Sequence, residues 1–90
     1  MREYLVTVSR PTAESWWIAF GLEGSDKRET GCFQSNSLER LKNSLELLKF
    51  DTNEIAQLSR IQVGAVSYKA MKRFPPDALA QARDGSQPCI

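Results

Sequence analysis

The most informative absence in this chain of 90 residues is histidine, which occurs at no position. Histidine is the side chain most often used as a general base, as a metal ligand and as the partner of a serine or cysteine nucleophile. The sequence also contains no GxGxxG, GxxxxGK[ST] or CxxC motif, so recognisable phosphate-binding loops and thiolate metal sites are missing. We therefore expect no enzyme activity, no catalytic residues, no cofactor and no metal.

Cysteine is scarce as well, since the sequence contains only Cys32 and Cys89. No apolar segment followed by a small-residue cleavage site is present at the N-terminus, so a cytoplasmic location is the default expectation. In a reducing compartment two cysteines are more often free thiols than a disulfide. A structural thiol is also a simpler interpretation of Cys32 than a nucleophile.

Long apolar segments are missing too. The longest, residues 16–20, has five residues, whereas a membrane-spanning helix needs about 20. The chain is therefore not expected to span a membrane. Hydrophobic residues at 41% and charged residues at 26% are typical of a globular protein, and this length leaves room for one core. We expect a single domain over residues 1–83, followed by a mobile tail over 84–90.

Alternating apolar residues predict an antiparallel hairpin in the first part of the chain. YLVTV at 4–8 and WWIAF at 16–20 are typical of strands, and the segment around Pro11 interrupts the pattern between them. Leu5 and Trp17 fall on the face opposite the predicted core. A short third strand, GCFQS, is expected after the polar loop. The face predicted to form the core carries Tyr4, Val6, Val8, Trp16, Ile18 and Phe20.

Helical spacing begins after the third strand. Asn36 and Glu39 have the spacing of a capping box, and leucines then recur at three- and four-residue intervals. Asp51 and Glu54 repeat that spacing and predict a second, shorter helix from Thr52. The segment PPDALAQAR predicts a third helix with proline in its first turn. The leucines predicted to face the core from the first helix are Leu38, Leu41, Leu45 and Leu48.

Together these elements predict a small α+β fold, with an antiparallel sheet in β-β-β-α order, one main packed helix and short C-terminal helices. Residues 31–50, GCFQSNSLERLKNSLELLKF, resemble the helix-entry motif of HicB-type antitoxins. YLVTV and WWIAF are similar to the first two strands of that family. The resemblance covers about the first half of the chain, and it implies a partial RNase-H-like scaffold without catalytic carboxylates.

The resemblance also implies a function. HicB-type proteins neutralise a small ribonuclease, HicA, by covering its active site, and we therefore expect a protein partner. The candidate contact residues are Trp17, which points away from the core, and Arg28 with Glu29 in the charged loop. Exposed tryptophan is often an interface residue. A later helix or a homodimer mate covering Trp17 is the alternative. A stand-alone inhibitor of the kind that phages encode, on the same scaffold, is another possible function.

Residues 52–74 admit a different function, DNA binding by a transcriptional regulator. The net charge of +1 is too small to attract the protein to nucleic acid. The segment between Glu54 and Asp77, however, contains basic residues and no acidic residue. A helix-turn-helix template can be laid on this segment, although residues 61–71 suit a strand as well as a helix. In the second interpretation the segment is the last strand of the sheet. The candidate nucleic-acid contacts are Arg60, Gln62, Ser67, Tyr68, Lys69, Lys72 and Arg73.

Overall fold

The computed structural model describes residues 2–21, 31–64 and 66–88, and it confirms the predicted small α+β fold. Within these residues three helices and five strands occur in the order β1-β2-β3-α1-α2-β4-α3-β5. The strands are β1 (Arg2–Thr12), β2 (Ser15–Gly21), β3 (Gly31–Ser35), β4 (Ser67–Phe74) and β5 (Gln87–Pro88). The helices are α1 (Leu38–Leu47), α2 (Thr52–Ser59) and α3 (Pro76–Arg83).

The strands form one antiparallel sheet in the order β4-β1-β2-β3-β5. Val6 lies opposite Phe20 of β2 and opposite Ala70 of β4, so β1 is a central strand. Side chains alternate between the two faces of a strand, and the apolar set predicted for the core is buried on one face. The buried apolar residues of the sheet are Tyr4, Val6, Val8, Trp16, Ile18, Phe20, Phe33 and Phe74.

Pro11 does not end the first strand, contrary to expectation. β1 continues to Thr12, which pairs with Ser15 across a two-residue turn. The pairing with β2 shifts by one residue between Ser9 and Thr12, as in a β-bulge. A bulge is one of the few places in a sheet that accept proline, because the extra residue leaves the hydrogen-bonded ladder.

Helix α1 begins one residue later than the predicted capping box implied. Ser37, rather than Asn36, is the N-cap, and its hydroxyl accepts a hydrogen bond from the backbone N–H of Arg40. Leu41, Leu45 and Leu48 are fully buried against the sheet, as expected. Leu38 is exposed instead, because it is the first helical residue and lies outside the contact with the sheet.

The two later helices agree with the sequence. Asp51 caps α2 and exchanges hydrogen bonds with Glu54, so this capping box is confirmed and the helix begins at Thr52. Pro76 is the first residue of α3, where its missing N–H costs no helical hydrogen bond. No helix in the described ranges is long and apolar enough to cross a membrane.

Residues 67–74 form strand β4, which pairs with β1 over its whole length from Ser9↔Ser67 to Arg2↔Phe74. The helix-turn-helix arrangement is therefore not formed, because its second helix is replaced by a strand. The interpretation of this segment as a strand of the sheet is correct, although it is not the last one, since β5 follows it. Pairing with β1 favours the strand, and Phe74 at its end packs on the ring of Tyr4 at a centroid separation of 4.5 Å. Gly64, just before the strand, disfavours a helix.

The other edge of the sheet carries a strand that the sequence did not predict. Residues 87 and 88 of β5 pair with Gln34 and Phe33, which ties part of segment 84–90 to β3. Cys32 of β3 is disulfide-bonded, so the expectation of a free thiol is wrong. The expectation rested on the number of cysteines and the assumed compartment, and it did not include the pairing of residues 87 and 88 with β3. Cys89 lies outside the described residues.

Candidate protein-binding surface

The described helices pack on one face of the sheet and leave the opposite face, called here the open face, without a covering helix. Leucines of α1, α2 and α3 join the buried residues of β1 and β2 in a single core. Strand alternation and the pairing registers define the side chains of the other face. The open face carries Glu3, Leu5, Thr7 and Ser9 of β1, Trp17 and Ala19 of β2, Cys32 and Gln34 of β3, and Ser67, Lys69, Met71 and Arg73 of β4.

The open face carries an exposed apolar pair. Leu5 and Met71 lie directly opposite each other on neighbouring strands and are 41% and 45% exposed. Trp17 of β2 is on the same face and is partly exposed, so the prediction that it points away from the core is confirmed. Because a large apolar side chain gains about 1.5–3 kcal/mol when it leaves water, adjacent exposed ones favour association.

The side of the open face formed by β4 is basic. Lys69 and Arg73 are exposed two residues on either side of Met71. Lys69 lies opposite Thr7, and Arg73 lies opposite Glu3, the only acidic residue among the open-face side chains given above. The surface therefore combines the apolar pair Leu5 and Met71 with two cations along the β4 edge of the sheet.

The candidate nucleic-acid residues are distributed over three places. Ser67, Lys69 and Arg73 are on the open face, whereas Tyr68 and Lys72 are on the core side of β4. The remaining two precede the strand. Arg60 ends α2 and donates its Nε to the Ala56 carbonyl at 3.3 Å, and Gln62 is exposed in the connection to β4. Arg28 and Glu29, the candidate loop contacts, lie outside the described residues.

Tyr68 and Lys72 have a structural contact that explains their placement. The hydroxyl of Tyr68 donates to Glu54 Oε2 at 2.5 Å, and Lys72 Nζ donates to Oε1 at 2.6 Å. Lys72 Nζ also lies 4.7 Å from the ring centroid of Phe50. These bonds join α2 to β4, so the two side chains hold the edge strand on its core side.

The charge of Glu54 is stabilised in this cluster. Burial by itself raises the pKa of the carboxyl, but hydrogen bonds from Lys72, Tyr68 and the Asp51 N–H lower the pKa below its ordinary value of 4.5. Conversely, the hydrogen bond to Glu54, burial and the nearby negative charge raise the pKa of Tyr68 above 10.0. The cluster is thus an ion pair with a neutral phenol at neutral pH.

Other concave regions offer less chemistry. One cavity of about 620 Å³ lies between α1 and α3 and is lined by residues that include Glu46, Lys49 and Asp77. No group of three or more histidine, cysteine, aspartate or glutamate side chains in the described part of the chain could hold a metal ion. The open face is therefore the strongest candidate site.

Sequence reasoning located part of the open face and missed the rest. Alternation in YLVTV placed Leu5 away from the core, and the same pattern singled out Trp17. Met71 was missed, because its side depends on whether residues 67–74 form a strand. The sequence signal for it is weak, because the side of the strand opposite Met71 carries Lys72 as well as Tyr68, Ala70 and Phe74.

Comparison with family models, with curated proteins and with solved structures gives no match to this chain. Function is therefore inferred from the open face and from the resemblance of residues 31–50 to HicB-type antitoxins.

Proposed function

We propose that this chain is a non-catalytic binding protein that sequesters a small protein partner on the open face of its sheet. The observation that carries the proposal is the pairing of Leu5 with Met71, which remain 41% and 45% exposed on the same face as the partly exposed Trp17. Exposed apolar side chains with polar and charged neighbours match the composition of a protein interface. Aromatic residues and methionine are enriched in such interfaces.

The resemblance to HicB-type antitoxins supports a particular kind of partner, a small HicA-type ribonuclease. The segment of this chain that carries the resemblance, residues 31–50, folds as strand β3 followed by helix α1, which is the order of elements in the motif. In this proposal the sheet is a rigid platform and the bound ribonuclease is inactive because its active site is covered. Duplex DNA is not proposed as a partner, since β4 takes the place of a recognition helix.

Co-expression with a HicA-type ribonuclease encoded beside this chain tests the proposal. The wild-type chain should restore growth of cells that express the toxic ribonuclease, and it should co-purify with a catalytically inactivated form. Absence of both effects would contradict the proposed function.

A pair of matched variants assigns the effect to the open face. Met71 and Val63 are both 45% exposed, but Val63 lies in the connection between α2 and β4. Met71→Glu should abolish growth rescue because it replaces an apolar side chain of the proposed contact with a charged one, whereas Val63→Glu should rescue as well as wild type. Equal rescue by both variants would exclude this part of the sheet as the binding surface.

A further inference from the structure

Strand β4 is an edge strand whose outer side pairs with no other strand among residues 2–21, 31–64 and 66–88. In an antiparallel ladder, alternate residues direct both backbone groups to the same neighbour. About half of the eight residues of β4 therefore direct their N–H and C=O groups away from β1. An edge of this kind is a template for one further strand.

Two features make this edge suitable for pairing. The eight residues of β4 pair with β1 without a shift in register and contain no proline, so neither a bulge nor a missing N–H interrupts the edge. The strand is also held in place, because Tyr68 and Lys72 bind Glu54 and Phe74 is fully buried on Tyr4. A preorganised edge loses little conformational entropy when a partner strand binds.

The charges of β4 select between possible occupants. β4 carries Lys69, Lys72 and Arg73 and no acidic residue; Lys72 is paired with Glu54, and Arg73 lies opposite Glu3 of β1. A second copy pairing through the same edge would bring Lys69 and Arg73 of both copies together on the open face of the seam. Like charges on adjacent strands are destabilising, whereas opposite charges on adjacent strands are stabilising. The charge pattern therefore favours an acidic strand over a second copy.

We propose that the outer edge of β4 binds an extended acidic segment of the partner protein as an additional strand. On the open face the order Lys69, Met71, Arg73 calls for an acidic, an apolar and an acidic side chain at alternate positions of the partner strand. The inference rests on the proposed function, since it names the part of the partner that the binding surface recognises.

The test uses the wild-type chain and the capped synthetic peptide Thr-Glu-Thr-Val-Thr-Glu-Thr, whose palindromic sequence allows either strand direction. Affinity is measured by titration calorimetry, and amide exchange of β4 is followed by NMR. We expect binding, slower exchange of alternate β4 amides, and binding about tenfold weaker for a peptide with lysine in place of glutamate. Equal affinity for the two peptides, or no slowing at β4, would overturn the proposal.

A charge-reversed variant and a modified peptide separate strand pairing from general attraction. The double variant Lys69→Glu with Arg73→Glu should invert the preference and bind the lysine peptide more tightly, a gain that a misfolded variant could not show. Two methylated peptides are compared, one with methyl groups on the backbone nitrogens of residues 2, 4 and 6 and one with methyl groups on those of residues 3 and 5, because alternate N–H groups point to opposite edges of a strand. The form whose methyl groups face β4 should not bind. Full binding by both methylated forms would exclude strand pairing.

Two further outcomes are informative. A protein that sediments as a dimer, with β4 amides already slow to exchange before peptide is added, would show that a second copy occupies the edge and would overturn the proposal. If the peptide fails to bind but the wild-type chain still neutralises the ribonuclease, the edge proposal is wrong and the proposed function stands. If the chain binds the peptide but not the ribonuclease, the proposed function is wrong and strand pairing at the edge of β4 stands.

Discussion

At the scale of single residues, Glu54 has the most connections that can be tested. Its carboxylate completes the N-terminal cap of α2 through the Asp51 N–H and accepts hydrogen bonds from Tyr68 and Lys72 of β4. The side chains of Glu54 and Lys72 are each 16% exposed, so this ion pair is better shielded from water than a typical surface pair. One residue thus joins a helix terminus to the edge strand.

Glu54→Gln isolates the charge, because glutamine can still accept the hydrogen bond that completes the capping box. We expect the variant to lose about 1–2 kcal/mol of unfolding free energy near pH 7, since Lys72 then lacks its anionic partner. Chemical denaturation measures the loss. Glu46→Gln, at an exposed position of α1, is the control and should change stability by less than about 0.5 kcal/mol.

The pH dependence of that difference follows from the direction of the pKa shifts. The pKa of Glu54 is lower in the folded protein than its ordinary value of 4.5, so its stabilisation is present above pH 4.5 and is lost as the pH falls through the folded value. The raised pKa of Tyr68 contributes stability below pH 10.0 that is lost as the pH rises through the folded value. The gap between wild type and Glu54→Gln should therefore narrow in acid; a constant gap would contradict the charge account.

At the scale of elements, the C-terminus of α1 has a strained residue at a position usually occupied by glycine. Phe50 N–H donates to the Leu45 carbonyl and Lys49 N–H donates to the Glu46 carbonyl, which is the pattern of a Schellman motif. Lys49 has a φ of 69°, in the left-handed region that disfavours residues with a Cβ. The sharp turn between α1 and α2 therefore lowers the free energy of unfolding.

Lys49→Gly should raise the unfolding free energy by about 0.5–1 kcal/mol, because glycine adopts this backbone conformation without the steric cost. Thermal unfolding should show a midpoint about 2–5 °C higher. Lys42→Gly is the matched control within α1, where glycine should instead cost about 1 kcal/mol. A loss of stability in both variants would contradict the assignment of strain to Lys49.

How far the elements could be predicted depends on how local their causes are. The cap of α2 and the proline at the start of α3 are local; the first was predicted to the residue, and the second was predicted within the first turn. The cap of α1 was placed one residue early, because Asn36 and Ser37 are adjacent capping residues and only packing of the following leucines selects between them. β4 and β5 depend on pairing with strands more than 50 residues away, which no local pattern contains.

The candidate site shows the same division. Leu5 and Trp17 could be assigned to the face opposite the core, because alternation within each strand is sufficient. The basic residues of 60–73 were recognised as a group, but the sequence left open whether they lie on a recognition helix or on a strand. The strand instead separates them, with Lys69 and Arg73 on the open face and Lys72 on Glu54.

At the scale of the whole molecule, the described residues place the helices on one face of a sheet whose other face carries the exposed pair Leu5 and Met71 and is basic at one edge. This asymmetry connects the proposals, since a partner on the open face can also extend the sheet at β4. The core provides the rigidity of the platform, and the open face provides the contact. Substitutions on the open face should therefore affect binding more than stability.

The most direct measurement is the affinity of two matched variants for the inactivated HicA-type ribonuclease, determined by titration calorimetry. Leu5 on the open face is 41% exposed, and Leu38 at the start of α1 is 42% exposed. Leu5→Glu should weaken binding by at least about tenfold, because it places a charge in the proposed contact, while Leu38→Glu should stay within about twofold of wild type. Equal affinities of two folded variants would contradict binding at the open face.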